Sequence, residues 1–163
     1  MKVRESLQDA VMKIHHMPVM TDLVIASLEV RPGGTYVDCT LGEGGHALSI
    51  LSAVNPPPVI LGVELDANAI SVASSRLESF GENVILAHDS FANIYEILKK
   101  QDLQQPEGVL FDFGVSSLQL ESQNRGFSFS KPGRLDMRFD TRQWLTAHHL
   151  VNKRTEQQLA SII

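Results

Sequence analysis

The chain is poor in several residue types that mark particular classes of protein. Its 163 residues include one cysteine and one tryptophan, and 6% are aromatic. Because Cys39 is the single cysteine, it cannot form an intrachain disulfide, and we expect a small buried residue in a reducing compartment. No apolar run approaches the length of a membrane span, and the polar N-terminus does not resemble a signal peptide, so the expected location is the cytoplasm.

An excess of positive charge is also missing. The 14 lysines and arginines are outnumbered by 19 aspartates and glutamates, which gives a formal net charge of -5. This balance argues against indiscriminate nucleic-acid binding, although a local basic surface would not show in the total. The hydrophobic content of 43% is sufficient for a packed core, and the length corresponds to one globular domain.

Apolar segments with β-type composition alternate along the chain with helical segments. The predicted strands are 35–41, 59–65, 83–89 and 108–114, and the predicted helices are 5–14, 21–28, 46–54, 67–80 and 92–100. Strands that are apolar throughout and separated by helices indicate an α/β fold with a parallel sheet covered on both faces. The expected order of the strands in a doubly wound sheet is 3-2-1-4.

The segment YVDCTLGEGGHA at 36–47 joins the first predicted strand to a helix through a glycine loop. Gly42, Gly44 and Gly45 are expected to let the backbone adopt positive φ angles and approach a ligand closely. A strand that leads through such a loop into a helix is typical of α/β proteins that bind nucleotide-like cofactors.

The loop alone leaves two classes of cofactor open. The residues from Gly42 to Ala47 fit the pattern G-x-G-x-x-A, and Glu64 ends the second strand about twenty residues later, as in a dinucleotide site. Glu43 disfavours this interpretation, because an ionised carboxylate is unfavourable beside a pyrophosphate. A cationic sulfonium such as S-adenosylmethionine meets no such repulsion, and Glu64 could accept ribose hydroxyls from either ligand.

Asp112 follows the fourth predicted strand, at the edge of the sheet where open α/β proteins bind ligands. The adjacent Ser116 and Ser117 could be nucleophiles, but no G-x-S-x-G turn surrounds them, and helix capping explains them better. The histidine pairs at 15–16 and 148–149 have no cysteine or carboxylate at ligand spacing, so no metal site is predicted.

Half of the 14 basic residues lie between Arg125 and Arg154, with Phe127 and Phe129 among them. Basic residues interleaved with aromatics are typical of a groove for flexible RNA or a flipped base. A solvated loop with both phenylalanines in the core explains the same composition equally well.

Four stretches of the chain resemble the ribosomal RNA small-subunit methyltransferase H family, whose members methylate N4 of a cytidine with S-adenosylmethionine. The stretches follow the family's order and cover nearly the whole chain. They are HMPVM at 16–20, GGTYVDCTLGEGGH at 33–46, DFGVSSLQL at 112–120 and RGFSFSKPGRLDMRFD at 125–140.

The resemblance implies a Rossmann-like core of the class I S-adenosylmethionine-dependent methyltransferases. Residues 1–142 would form the N-terminal part of this core, and residues 143–163 would begin a helical insert. The implied partner is small-subunit (16S) ribosomal RNA or the 30S subunit, with neither a membrane nor a metal. No catalytic base is assigned. The implied cofactor contacts are Gly44, Gly45, His46, Glu64, Phe91, Asp112 and Gln119.

The chain departs from the family's pattern in two respects that affect the site. The family commonly has aspartate at the position of Glu64, so the acceptor is displaced here by one methylene. The family also continues well beyond Ile163. Besides the methyltransferase, two alternatives therefore stay open: a nicotinamide-dependent oxidoreductase, and a truncated relative that binds cofactor or RNA without turnover. We expect residues 1–163 alone to associate, to bind cofactor weakly and to lack methyl transfer.

Overall fold

The computed structural model describes residues 18–103 and 105–162. The predicted helix over 5–14 and the histidine pair at 15–16 lie outside the described residues. The chain divides into two compact units, one ending at Asp112 and the other beginning at Phe113. The predicted boundary after residue 142 stays a prediction.

The first unit is built on a parallel sheet of four strands. They are β1 (Thr35–Asp38), β2 (Val59–Glu64), β3 (Val84–His88) and β4 (Gly108–Leu110). Every neighbouring pair is parallel, and the spatial order β3-β2-β1-β4 confirms the predicted order. The predicted fourth strand was too long, because β4 ends at Leu110 and the following residues leave the sheet.

Helices connect the strands as the alternation predicts. The connecting helices are α2 (Gly45–Ser52), α3 (Ala67–Leu77) and α4 (Ile94–Lys100), with 3-10 turns at Glu78–Asn83 and Phe91–Asn93, and a further helix, α1 (Thr21–Ser27), precedes β1. The predicted helix over 67–80 is α-helical only to Leu77, and the chain continues in the first of these 3-10 turns, where Gly81 adopts a positive φ of 53°. Asp66 begins α3 by accepting a hydrogen bond from the amide of Asn68 at 3.0 Å.

Apolar residues cover both faces of the sheet, as expected for a parallel sheet. Successive residues of a strand point to opposite faces, so Tyr36 and Ile60 pack in one cluster and Val37 and Leu61 in the other. The first cluster includes Leu51 of α2 and the second includes Ile97 of α4. This packing fixes the strand ends, from which the candidate site is built.

The described residues of the second unit include three short helices, α5 (Ser117–Glu121), α6 (Ala147–Lys153) and α7 (Glu156–Ala160), joined by irregular chain. Within the described ranges, no helix is long and apolar enough to span a bilayer.

Candidate functional site

The glycine loop begins with a turn that Asp38 makes at the end of β1. Oδ1 of its carboxyl accepts a hydrogen bond from the amide of Thr40 at 3.1 Å. The amide of Leu41 then donates to the carbonyl of Val63 at 3.1 Å, which holds the loop against β2. A Cβ on Gly62 would lie 2.7 Å from Leu41, so this glycine of β2 makes room for the loop.

The glycines of the loop have different roles. Gly42 and Gly44 adopt φ angles of 52° and 77°, whereas Gly45 is not in the left-handed region, so the prediction of positive φ was wrong for Gly45. A Cβ on Gly44 would lie 3.2 Å from Leu77 of α3, which explains that glycine by helix packing. A Cβ on Gly42 would meet nothing closer than the carbonyl oxygen of Thr40 at 3.9 Å, so its positive φ rather than close packing favours glycine there.

Glu64 ties the end of β2 to the glycine loop. Its Oε2 accepts from the amide of Gly42 at 2.8 Å, and its Oε1 accepts from the amides of Leu65 and Asp66 at 2.8 and 2.9 Å. A carboxylate offers about four lone-pair positions, so one acceptor position is left for a ligand hydroxyl. This structural role of Glu64 was not foreseen from the sequence.

His46 and Asp112 come together from α2 and the end of β4. Nε2 of the buried imidazole lies 3.4 Å from Oδ2 of Asp112, whose side chain is 56% exposed. The buried Nδ1 of His46 has no hydrogen-bond partner among the described residues. The predicted contacts His46 and Asp112 are therefore neighbours, and the carboxylate faces solvent.

Phe91 lies after β3 and packs against Phe111, which the sequence analysis did not include. The two rings meet edge to face, with centroids 5.7 Å apart and an interplanar angle of 89°. Both side chains are partly exposed. The pair offers an apolar surface of the kind on which a planar base packs.

Asp38 is a third carboxyl at this edge of the sheet, and it is 1% exposed. Burial is the largest cause that raises its pKa to about 7, and the nearby charges of Asp112 and Glu64 add to the rise, whereas the hydrogen bond from the amide of Thr40 opposes it. Its Oδ2 has no hydrogen-bond partner in the part of the chain that the structure describes. Asp38 was not among the predicted site residues, although a charged residue in an apolar strand was a visible signal.

Gln119 belongs to the second unit, and its side chain is nearly fully buried. Its Oε1 accepts from the amide of Ser116 at 3.1 Å, while the Ser116 hydroxyl accepts from the amide of Gln119 at 3.2 Å. This capping box confirms the interpretation of Ser116 as a helix cap. The cofactor contact of Gln119 stays a prediction.

Aspartates neutralise two arginines of the basic segment. Arg138 binds both carboxylate oxygens of Asp136 at 2.7 and 2.6 Å, and Arg142 binds both oxygens of Asp140 at 2.8 and 2.9 Å. Arg125 donates to the carbonyls of Arg138 and Phe139 at 2.7 and 3.0 Å. The repeated D-x-R spacing at 136–138 and 140–142 was the signal for these pairs.

The two phenylalanines of this segment differ in their surroundings. Phe127 packs against Phe139, with ring centroids 5.4 Å apart, whereas Phe129 is fully exposed. Phe127 is therefore packed against another ring, as the solvated-loop alternative expects, whereas Phe129 is exposed and is not in the core. Lys131 and Arg134 are exposed and make no ion pair with any described residue.

A glycine loop between β1 and α2, with carboxyls at the ends of β1, β2 and β4, defines an α/β unit of the kind that binds nucleotide-like cofactors. The model of the MraW methylase family matches residues 13–163. The chain belongs to the MraW methylase family.

Curated relatives carry the name ribosomal RNA small subunit methyltransferase H. The relative from Dehalococcoides mccartyi is 45% identical over 148 residues, which are 91% of this chain and 42% of the relative. The relative from Symbiobacterium thermophilum is 42% identical over 152 residues, covering 93% of this chain and 48% of the relative. The chain thus spans less than half the length of these curated relatives.

The solved structures that resemble this chain are less similar to it in sequence than the curated relatives are. An S-adenosylmethionine-dependent O-methyltransferase from Thermotoga maritima is 20% identical, with a TM-score of 0.45, over 52% of this chain and 34% of that one. An rRNA methylase from Streptococcus thermophilus is 20% identical, with a TM-score of 0.39, over 50% of this chain and 46% of that one. The family of this chain is therefore shown by the family model that matches residues 13–163 and not by these structures.

Proposed function

We propose that the protein containing this chain transfers a methyl group from S-adenosylmethionine to N4 of a cytidine in small-subunit (16S) ribosomal RNA. The observation that carries the proposal is the convergence of Asp38, Glu64 and Asp112 at the ends of three parallel strands around the glycine loop. Carboxyl groups at this position favour a cationic ligand over a pyrophosphate. The names of the curated relatives support the reaction and its RNA substrate.

The residues of the first unit fit the parts of S-adenosylmethionine. We assign Glu64 to a ribose hydroxyl and the pair Phe91 and Phe111 to the adenine ring. The exposed carboxylate of Asp112 would lie near the charged end of the ligand. The other proposed cofactor contacts are Gly44, Gly45, His46 and, in the second unit, Gln119.

The bound cofactor supplies a methyl group on a positively charged sulfur. Transfer would exchange its carbon–sulfur bond for a carbon–nitrogen bond and leave a neutral thioether, and the proton released by the cytidine nitrogen would pass to solvent. The exocyclic amine is a poor nucleophile because its lone pair is delocalised into the ring, so a nearby acceptor must favour the tetrahedral nitrogen. Most of the remaining acceleration should come from alignment. His46 can fix the carboxylate of Asp112 beside the reacting groups, while a flipped cytidine enters from solvent.

The proposal extends to the partner and the location. Small-subunit rRNA or the 30S subunit is the proposed substrate, and the cytoplasm is the proposed compartment. Exposed Lys131, Arg134 and Phe129 in the second unit provide charge and an aromatic ring for flexible RNA.

A nicotinamide-dependent oxidoreductase is the rival that the G-x-G-x-x-A pattern allows. Arg76 places one cation at the loop, where its guanidinium donates to the carbonyl of Glu43 at 3.5 Å. This cation is opposed by the three carboxyls of the site and by Glu43 itself. The local charge therefore disfavours the pyrophosphate of a dinucleotide.

Calorimetry with S-adenosylmethionine and with NAD separates the two functions. The experiment uses the longest protein expressed from the reading frame that contains this chain, hereafter the complete protein. We expect S-adenosylmethionine to bind more tightly and tritiated methyl to be transferred to 30S subunits. Tighter binding of NAD would overturn the proposal, and cofactor binding without methyl transfer would favour a relative that binds without turnover.

A further inference from the structure

Strands β1 and β4 separate at the site, and a side chain bridges the gap between them. Their backbone pairing continues one residue beyond β1, where the amide of Cys39 donates to the carbonyl of Leu110 at 2.9 Å. The next contact is different, because the amide of Asp112 donates to the hydroxyl of Thr40 at 2.7 Å. The Thr40 side chain thus takes the place of a backbone acceptor where the strands diverge.

The position of Thr40 is fixed in turn by Asp38. The carboxyl of Asp38 accepts from the amide of Thr40 in a local turn that ends β1. This carboxyl is almost fully buried, and an apolar residue would be less costly in the same place. The turn gives a reason for the buried carboxyl, because it sets the direction in which the chain leaves β1.

We infer that Asp38 and Thr40 are positioning residues, which together hold the backbone of Asp112 in place for cofactor binding. Asp38 orients Thr40, and the Thr40 hydroxyl orients Asp112, so the glycine loop and the end of β4 keep a fixed relation. The inference rests on the proposed function, because the position of Asp112 affects turnover only if Asp112 contacts the cofactor.

The charge state of Asp38 is expected to affect this chain of contacts. Because its pKa is about 7, both the protonated and the ionised forms of Asp38 are populated near neutral pH. The ionised form is the stronger acceptor for the amide of Thr40. The groups around it are Asp112 after β4, Glu64 at the end of β2, and Cys39, whose thiol pKa burial raises to about 11. His46 faces Asp112 from α2.

Substitutions of Thr40 test the inference directly. Thr40→Val keeps the shape but removes the hydroxyl, and Thr40→Ser keeps the hydroxyl. In the complete protein without ligand, amide hydrogen exchange at Asp112 should accelerate with valine and stay slow with serine. Binding of S-adenosylmethionine should weaken roughly fivefold with valine, the loss expected for one hydrogen bond, and should recover with serine.

Asp38→Asn provides a second test that keeps the size of the side chain. As the pH rises through about 7, Asp38 ionises in the original protein, and the affinity for the cofactor should rise. Asp38→Asn has no carboxyl to ionise at this position, so its affinity should lack this rise. The ligand's own titration cancels in this comparison because it is common to both proteins. Glu82→Gln, at an exposed position before β3, is the matched control and should follow the original profile.

The outcomes distinguish the inference from the function on which it rests. If the original protein does not bind S-adenosylmethionine, the proposed function fails, and the exchange rate at Asp112 still reports on Thr40. If the cofactor binds but Thr40→Val changes neither the exchange rate nor the affinity, the inference is overturned. Should the valine variant not fold, a pH profile of Asp38→Asn that coincides with the original overturns it instead.

Discussion

Nε2 of His46 lies 3.4 Å from Oδ2 of Asp112, and this contact joins the first turn of α2 to the chain after β4. The imidazole is buried, whereas the carboxylate is more than half exposed. The histidine therefore holds the carboxylate from the protein side and leaves its other face open to solvent. This arrangement is suited to a carboxylate that binds a ligand rather than one that stabilises the core.

Replacing Asp112 should weaken cofactor binding more than it weakens the fold. For Asp112→Asn in the complete protein, we expect the Kd for S-adenosylmethionine to rise roughly tenfold or more, because a charged acceptor is lost. The free energy of unfolding should change little, since the side chain is largely exposed. Calorimetry and urea unfolding measure the two effects, with Glu82→Gln as the control. Equal cofactor affinity in Asp112→Asn and the control would contradict the assignment.

Glu64 should contribute to stability as well as to binding. Its carboxylate accepts from the amides of Gly42, Leu65 and Asp66, so Glu64→Ala leaves these donors without their acceptor. We expect the free energy of unfolding to fall by roughly 1 to 2 kcal/mol, as urea unfolding of the ligand-free protein can measure. Glu82→Ala removes an exposed glutamate of the same unit and should have a much smaller effect. Indistinguishable unfolding curves for the two variants would show that the loop does not depend on Glu64.

The buried carboxyl of Asp38 should make stability depend on pH. Burial raises its pKa from 3.8 to about 7, so between these values the folded protein holds the extra proton. Its contribution to the free energy of unfolding therefore falls as pH rises from about 4 to about 7, by up to roughly 4 kcal/mol. In Asp38→Asn this fall should disappear. Urea unfolding at several pH values measures the difference, and parallel curves for the variant and the original protein would refute the shift.

The sheet could be predicted from the sequence because its determinants are local. Apolar runs separated by helical segments fix the strands, and the strand order follows from the doubly wound pattern. The early end of β4 could not be predicted, because Phe111 continues the apolar pattern although the chain has already left the sheet.

The site was less predictable, because it depends on which residues the sheet brings together. The sequence shows that Glu64 ends a strand, but the parallel register that places Asp38 beside Gly62 is needed to bring Glu64 to the glycine loop. The same holds for Thr40 and Asp112, which are far apart in sequence and meet only after β1 and β4 pair.

The charge of the basic segment could not be judged from a count of its basic residues. Aspartates two residues before Arg138 and Arg142 neutralise both arginines. The hydrogen bonds from Arg138 hold the pKa of Asp136 below its usual range. Each such pair stabilises a turn of the second unit and leaves less charge for a partner.

Arg134 and Arg138 should therefore respond differently to substitution. Arg138→Ala leaves Asp136 without its ion pair and the carbonyls of Thr141 and Gln143 without its donor, so it should make the second unit more susceptible to proteolysis. Arg134→Ala should leave proteolysis unchanged but lower RNA affinity. The salt slope, which is the slope of log affinity against log salt concentration, should become shallower by about one. Filter binding to 16S rRNA at several salt concentrations measures this. An unchanged salt slope for Arg134→Ala would remove Arg134 from the RNA surface.

The last prediction concerns the free edge of β4, which among the described strands pairs with β1 alone. Val109 and Phe111 are exposed along this part of the chain, and Tyr95 of α4 is exposed as well. An exposed, apolar strand edge favours pairing with another chain. Residues 1–163 expressed alone should therefore associate in light scattering and show no transfer of tritiated methyl to 30S subunits. Val109→Lys should reduce the association, while Glu82→Lys, which adds a lysine at an exposed position before β3, should not. A monodisperse monomer with turnover would show that this edge needs no cover and that residues 1–163 suffice for methyl transfer.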